Sequence, residues 1–194
     1  LNTIKKNIIF RADLNVPVFN GKITDFSRID SIIPSINRLV KNKNKVFIIA
    51  HYGRPKGKVI EKFSINFLCK VLADKFKVSK IHFLKTFDNE AIKKKILEMH
   101  YGEICLFENI RFYEEEEKND LNFSKDLSSN FDYFINDAFS ASHRNHSSIV
   151  GLPKFLPSFA GLSFTNEIEN LNKFFINNKK PNLAIIGGSK ISSK

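Results

Sequence analysis

Short apolar runs alternate along this chain with longer amphipathic stretches. The runs are rich in β-branched and aromatic residues and are bounded by polar or glycine-containing segments, as β-strands are. We predict six strands, at residues 8–11, 46–50, 81–84, 104–107, 133–135 and 183–186. Because these runs are apolar throughout and do not alternate, they indicate a parallel sheet that is covered on both faces.

Between the runs, apolar residues recur at helical spacing. The clearest stripe extends from Ile29 to Val40, and Pro34 within it predicts a helix that begins late or is kinked. Further helices are predicted within residues 65–76, 91–99 and 167–175, whereas the acidic run at 114–117 is interpreted as a solvated loop leading into a short helix. Alternation of strands and helices predicts an α/β fold, a Rossmann-like three-layer domain with an open parallel sheet.

Length and composition agree with one such domain. The 194 residues are 42% hydrophobic, which is enough to bury a core. No apolar run approaches the roughly 18 residues that a membrane span needs, and no secretory signal is evident. Cys69 and Cys105 lack the spacing of a zinc site or a disulfide scaffold, so we expect reduced, buried thiols in a cytoplasmic protein.

The formal net charge of +11 raises the alternative of a basic nucleic-acid-binding α/β domain. Most of this charge is lysine in short runs that are typical of solvated helix faces and turns. Arginine is used sparingly, at positions 11, 28, 38, 54, 111 and 144. A guanidinium group can bind a carboxylate or a phosphate with two parallel hydrogen bonds, which lysine cannot do.

Four of these arginines belong to segments that should converge at one edge of the sheet. Arg54 lies in the loop at 51–57, Arg111 follows the strand at 104–107, Arg144 follows the strand at 133–135, and Arg28 precedes the first helix. Because ligands of open parallel sheets bind beyond the carboxyl ends of the strands, we predict a site for a small, multiply anionic molecule. Asp13, Asn15, His51 and His143 occur in the same segments.

Each of these residues also has a structural interpretation. Asp13 and Asn15 could cap a turn, and His51 could be a hydrogen-bonded structural histidine. Arg111 could pair with the acidic run, and Arg144 could belong to a surface cluster. Arg11, inside a strand, is interpreted as structural, and Arg38 as an exposed helix residue.

The end of the chain carries a weaker signal. Two glycines followed by serine and lysine suit phosphate contact through backbone N–H groups and an ammonium group, although the spacing is not that of a Walker A loop. The residues are Gly187, Gly188, Ser189 and Lys190, with Lys194 four positions later.

Seven segments, in order, resemble phosphoglycerate kinases. They read RADLNVP at 11–17, ITD with RI at 23–25 and 28–29, HYGRPKG at 51–57, ENIRFY at 108–113, NDAF at 136–139, HRNHSS at 143–148 and GGSKI at 187–191. The resemblance covers essentially the whole chain but only about half of the family's length. It implies reversible phosphoryl transfer between 1,3-bisphosphoglycerate and ADP, giving 3-phosphoglycerate and ATP, by a cytoplasmic enzyme that acts as a monomer.

The resemblance also implies a domain organisation. Residues 1–163 would form the phosphoglycerate-binding domain, 164–180 an interdomain helix, and 181–194 the first strand and phosphate loop of a truncated nucleotide domain. Mg²⁺ would enter as MgATP or MgADP, with no metal ligand in this part of the enzyme. No specific nucleic acid and no membrane is expected as a partner.

Roles carry over by position. Asp13 and Asn15 would bind the glycerate end of the substrate, and Arg28 would neutralise charge at the transferring group. The non-transferring phosphate would be held by His51, Arg54, Arg111 and Arg144, with His143 supporting Arg144. The nucleotide would be bound by Gly187, Gly188, Ser189, Lys190 and Lys194, and Lys190 would also contact the phosphoryl group in flight.

Two features depart from the family pattern. Ser140 stands where glycine is usual, and the chain lacks both an initiator methionine and the remainder of a nucleotide domain. We therefore expect a fragment that binds 3-phosphoglycerate weakly and has no kinase activity alone. An α/β enzyme for another sugar phosphate and a non-catalytic interaction fragment stay open as alternatives.

Overall fold

The computed structural model describes residues 3–177 and residue 183. Its main feature is a six-stranded parallel sheet with the strand order β5-β6-β4-β1-β7-β8. The strands of this sheet are β1 (Asn7–Ala12), β4 (Lys45–Ile49), β5 (His82–Leu84), β6 (Ile104–Phe107), β7 (Tyr133–Asp137) and β8 (Ser158–Ala160). Two further short strands, β2 (Val18–Phe19) and β3 (Lys22–Ile23), form an antiparallel pair beside it.

Helices cover the sheet in the three-layer arrangement predicted for it. They are α1 (Ser27–Lys41), α2 (Leu68–Phe76), α3 (Asn89–Glu98), α4 (Glu114–Lys118), α5 (Leu121–Ser128) and α6 (Leu162–Asn177). The Rossmann-like α/β class is therefore confirmed. Within the described residues, no helix is both long and apolar enough to cross a membrane.

Alternate residues of the central strands supply two separate cores. Ile8 and Phe10 of β1 point towards α1 and α2, and Ile9 lies in the core on the opposite face with Phe131 and Leu127. This alternation follows from the two-residue repeat of a strand, and it explains why the strand sequences are apolar at every position. Both cysteines are free; Cys105 is buried in the second core, whereas Cys69 is only half-buried, so the expectation of buried thiols is wrong for Cys69.

Helix α1 does not begin late, although a late start is one of the two effects predicted for Pro34. It starts at Ser27 and continues through Pro34 to Lys41, so the prediction of a late start is wrong. The buried face is the predicted stripe, which includes Ile29, Ile32, Ile36 and Leu39. Packing of this stripe on the sheet outweighs the local cost of a proline in a helix.

Three further details differ from the sequence-based expectations. The acidic run is helix α4, in which Glu116 is fully buried, and is not a solvated loop. Strand β8 is not among the predicted strands, because its three exposed residues carry no strand pattern. Of the predicted strand at 183–186 only Leu183 is described; the remainder lies outside the described residues.

The start of α6 is fastened to the end of β7. The Asp137 carboxylate accepts hydrogen bonds from the Phe164 backbone N–H at 2.8 Å and the Ser35 hydroxyl at 2.6 Å. The Ser35 oxygen in turn accepts from the Leu162 N–H at 2.9 Å. The first turn of α6 thus has acceptors for backbone N–H groups that would otherwise be unpaired.

Candidate active site

The loops after four parallel strands bring the predicted residues to one edge of the sheet. Asp13 and Asn15 follow β1, His51 and Arg54 follow β4, and Arg144 follows β7. Arg111 lies in a single helical turn, Ile110–Phe112, after β6. Arg28, predicted to precede the first helix, lies instead in the first turn of α1. The convergence predicted from the shared carboxyl edge of parallel strands is therefore present.

His51 stands at the centre of the positive charge. Burial lowers the pKa of His51 to about 2, and nearby guanidinium groups act in the same direction. These groups are Arg11, Arg111, Arg144 and Arg28. His51 is 6% exposed, and with this lowered pKa its ring is neutral at physiological pH.

Arg111 is the most enclosed of the predicted cationic residues. Its side chain is 2% exposed, and one Nη donates to the Gly53 carbonyl at 2.9 Å. Its Nε lies 3.3 Å from the Glu117 carboxylate, so Arg111 does form an ion pair with the acidic run through one of its nitrogens, as the structural interpretation predicts. The other Nη is buried and has no hydrogen-bond partner in the described structure. Burial lowers the pKa of Arg111, and Arg144 and Arg54 lower it further.

Arg28 and Asp13 form an ion pair beside two open clefts at this edge of the sheet. Nη1 of Arg28 lies 2.6 Å from each Asp13 carboxylate oxygen, and the Ser140 hydroxyl also donates to Asp13. The Arg28 side chain is 42% exposed and borders two open clefts. One, of about 640 Å³, includes Asn15 and Gly53, and the other, of about 370 Å³, includes Asp13 and Ser140.

The loop at 51–57 is held in place by buried polar residues. Asn15 Oδ1 accepts from the Gly53 N–H at 2.9 Å, which joins the loops after β1 and β4. Asn109 accepts from the Tyr52 N–H and donates to the Tyr52 and Phe63 carbonyls. The loops after β1, β4 and β6 are thus joined by side-chain hydrogen bonds to backbone groups, and the fully buried Asn109 makes most of them.

The remaining predicted residues differ in their surroundings. Arg54 is exposed and Arg144 half-buried, and the structure shows no hydrogen bond from either guanidinium group to another residue in 3–177. His143 is exposed, with no bond to Arg144 within the same range. The nucleotide-site residues Gly187, Gly188, Ser189, Lys190 and Lys194 lie outside the described residues.

Two residues that the sequence did not assign to this site belong to its hydrogen-bond network. Arg11, expected to be structural, has its Nη2 3.0 Å from His51 Nδ1. Glu116, expected in a solvated loop, is buried and accepts from the Ser148 hydroxyl at 2.6 Å. The sequence signal for Arg11 is an arginine inside an apolar strand, which must find a partner when it is buried.

The guanidinium groups at this edge of the sheet carry only hydrogen-bond donors, so they can bind an anion. Across the described part of the chain, no three His, Cys, Asp or Glu side chains gather as a metal site. The polar lining of the smaller cleft is mixed, because Asp13, Asp137 and Glu167 lie in it together with Arg28.

The fold and these residues define a class: an α/β protein of Rossmann-like architecture with an arginine cluster at the carboxyl ends of its strands. The family profile described as "Phosphoglycerate kinase" matches residues 1–194. The chain belongs to the phosphoglycerate kinase family.

Individual relatives agree. The chain is 43% identical over 193 residues to a phosphoglycerate kinase of Mesorhizobium japonicum, covering 100% of this chain and 48% of that protein. It is also 43% identical over 191 residues to one of Prochlorococcus marinus, covering 97% of this chain and 47% of that protein. The chain therefore spans about half the length of the curated relatives it matches.

Solved structures give the same result. The phosphoglycerate kinase of Coxiella burnetii matches with a TM-score of 0.84 and 33% identity, over 100% of this chain and 48% of that chain. That of Pyrococcus horikoshii matches with a TM-score of 0.88 and 30% identity, over 99% of this chain and 48% of that chain.

Proposed function

We propose that this chain supplies the phosphoglycerate-binding part of an enzyme that transfers a phosphoryl group between 1,3-bisphosphoglycerate and ADP. In this reaction the bond between the acyl oxygen and phosphorus breaks, and a bond from the ADP β-phosphate oxygen to phosphorus forms. The products are 3-phosphoglycerate and ATP, as in glycolysis. Family membership and the arginine cluster support this proposal.

One observation carries the binding part of the proposal. A buried Nη of Arg111 has no hydrogen-bond partner in the described structure; Arg144 and Arg54 add positive charge around Arg111, which Glu117 and Glu116 offset in part. A buried donor without an acceptor is unfavourable, and a bound anion would supply the acceptor. A phosphate dianion has both the charge and the acceptor oxygens to do so.

The proposed roles follow from chemistry. Arg54, Arg111, Arg144 and the His51 ring would hold the non-transferring phosphate. Asn15 would offer its amide N–H₂ to the glycerate end, since its Oδ1 already accepts from Gly53. Arg28 would either break its ion pair with Asp13 or keep it while also contacting the substrate. In both cases its charge would stabilise negative charge on the transferring group. His143, which is exposed, would support Arg144 only after a local rearrangement.

The nucleotide part of the reaction is assigned on family resemblance alone. The glycines 187 and 188 with Ser189, Lys190 and Lys194 would contact nucleotide phosphates, beyond an interdomain helix at 164–180. Bound Mg²⁺ would neutralise the phosphates of ATP or ADP. The phosphoglycerate domain would comprise residues 1–163, and we propose a cytoplasmic, monomeric enzyme.

Calorimetric titration of the purified 194-residue chain with 3-phosphoglycerate tests the binding part. We expect weak, saturable binding that Arg54→Ala or Arg144→Ala weakens about tenfold or more, because each removes a charge-assisted contact. Arg38→Ala is the matched control: it removes the same charge from α1 ten residues, or about 15 Å, beyond Arg28.

Two results would contradict the proposal. One is the absence of saturable binding by a chain whose circular dichroism shows it folded. The other is an equal loss of affinity in Arg38→Ala, which would mean that overall charge and not the cluster attracts the ligand.

A further inference from the structure

The contact between Arg11 and His51 determines which nitrogen of the His51 ring carries the proton. Arg11 Nη2 lies 3.0 Å from His51 Nδ1, and both side chains are buried. A guanidinium group has five donor N–H bonds and no acceptor. Nδ1 must therefore accept, so the neutral ring carries its proton on Nε2. No other residue of the described ranges is hydrogen-bonded to Nε2.

Arg11 is itself held by a chain of hydrogen bonds in which the donor and the acceptor of each bond are fixed. Its Nε donates to the Ser148 hydroxyl at 2.9 Å, and that hydroxyl donates to Glu116 Oε1 at 2.6 Å. The Ser148 backbone N–H binds Oε2 of the same carboxylate at 2.8 Å. Since a hydroxyl has one proton to donate, the order is fixed as arginine to serine to glutamate.

Burial makes the carboxylate essential to this arrangement. Arg11 is 1% exposed and Glu116 is fully buried, so neither charge is solvated by water. Although burial acts to raise it, the neighbouring His146, Arg11 and Ser148 keep the pKa of Glu116 below its usual value. Glu116 is thus ionised and offsets the buried charge of Arg11.

The other charged groups around His51 act in the same sense as Arg11. Arg111 reaches it from the turn after β6, Arg144 from the loop after β7, and Arg28 from α1. All three disfavour a second proton on the ring. Only Arg11 contacts a ring nitrogen, so it alone among them selects the tautomer.

We propose that Glu116, Ser148 and Arg11 are positioning residues that hold His51 as a neutral ring with its proton on Nε2. His51 is then a hydrogen-bond donor to a phosphate oxygen without needing to be protonated. The tautomer follows from the protein alone, whereas the contact with phosphate rests on the proposed function.

Nitrogen-15 NMR of the 194-residue chain, labelled at histidine and free of ligand, tests the tautomer directly. Long-range proton–nitrogen correlations distinguish a neutral ring protonated on Nε2 from one protonated on Nδ1 and from the cation. We expect the Nε2–H pattern for His51 to persist unchanged from about pH 5 to about pH 8. An Nδ1–H pattern, or titration of His51 within that range, would overturn the proposal.

Variants separate positioning from general stability. Glu116→Gln keeps the shape of the side chain but removes the charge opposite Arg11, and Arg11→Lys keeps a charge but cannot bind serine and histidine together. In either variant we expect mixed tautomers of a ring that stays neutral, because the positive charges around His51 remain. Glu114→Gln on the same helix, where the carboxylate pairs with the exposed Lys118, should leave the pattern unchanged. Retention of the wild-type pattern in folded Arg11→Lys would refute the role of Arg11.

A second measurement keeps this inference distinct from the proposed function. Inorganic phosphate and 3-phosphoglycerate are titrated into the wild-type chain and Glu116→Gln, and the Nε2–H resonance is followed. We expect a shift on binding and an affinity about tenfold lower in the variant. An Nε2–H tautomer that does not respond to either anion would uphold the positioning role and refute the phosphate site.

Discussion

The His51 ring is a base that the folded protein keeps neutral, and this links stability to pH. Burial first, and then the surrounding arginines, lower its pKa to about 2. In the unfolded chain the ordinary value of about 6.5 applies, so the unfolded state binds a proton first as the pH falls. The contribution of this residue to stability is therefore complete above about pH 6.5 and is lost progressively below it.

Comparison of the wild-type chain with His51→Gln measures this effect. When the pH falls from about 7.5 to about 5, the free energy of unfolding should decrease by about 2 kcal/mol more in the wild type than in the variant. Urea denaturation at both pH values gives the difference, in which the other four histidines cancel. Parallel pH dependence in the two proteins would show that His51 is protonated in the fold.

Arg28 and Arg54 should differ in the step that each supports. In a complete enzyme, Arg28→Ala should mainly lower kcat, by roughly 10³, if its charge acts at the transferring group. Arg54→Ala or Arg144→Ala should mainly raise KM, because these residues hold the phosphate that does not react. Steady-state kinetics with varied 3-phosphoglycerate distinguishes the two, and the reverse pattern would exchange the roles.

Individual residues of the site are predictable to the extent that their type is unusual. Arginine in a lysine-rich chain indicates Arg28, Arg54, Arg111 and Arg144, and the structure brings them together. Glu116 gives no such signal, because it stands among four consecutive glutamates. Long-range contacts, such as the one with Ser148, 32 positions away, determine which of the four is buried.

Among the elements, the loop at 51–57 depends most on backbone conformation. Gly57 has a φ of +73°, and a Cβ there would lie 2.8 Å from Glu114 Cβ and 3.2 Å from its Cα. Glu114 begins helix α4, which carries Glu116. The loop that bears Arg54 and the helix that holds the buried carboxylate are thus in contact at a position that requires glycine.

A pair of glycine substitutions separates the two costs at this contact. Gly21 has nearly the same φ, +72°, but a Cβ added there would meet no atom within 4 Å. Gly21→Ala should cost about 1–2 kcal/mol for backbone strain alone. Gly57→Ala should cost about 1–3 kcal/mol more, since the helix must move. Equal losses in urea denaturation would mean that α4 accommodates the methyl group freely.

Elements with strong periodicity are predicted well and short ones are not. The stripe of α1 identifies its buried face, and the central strands are found within a residue or two of their bounds. Strand β8 has three exposed residues and is defined by pairing with β7, a long-range contact that a local pattern does not encode. The five-residue helix α4 is too short to show a periodicity.

For the molecule as a whole, the parallel sheet is what makes a site from scattered residues. All six of its strands run in one direction, so their carboxyl ends share one edge. This much is predictable, because strand–helix alternation implies parallel strands and right-handed crossovers. The order of the strands is not, because several orders satisfy the same alternation.

The charge of +11 provides a test of the nucleic-acid alternative. Because most of the charge is dispersed lysine, we expect only weak binding of a short fluorescent RNA, lost as salt is raised from about 0.05 M to about 0.2 M. We expect no specific RNA complex that 3-phosphoglycerate could displace. Tight binding that persists at the higher salt concentration would favour the nucleic-acid alternative over the proposed function.

The position of β1 in the sheet has a consequence for biosynthesis. This strand is the earliest of the six to leave the ribosome, yet it lies between β4 and β7, which come about 40 and about 125 residues later. The backbone of β1 therefore stays unpaired on its β7 side until β7 has emerged. During that interval the nascent protein exposes an edge prone to aggregation, and protection by chaperones would matter most at that stage of translation.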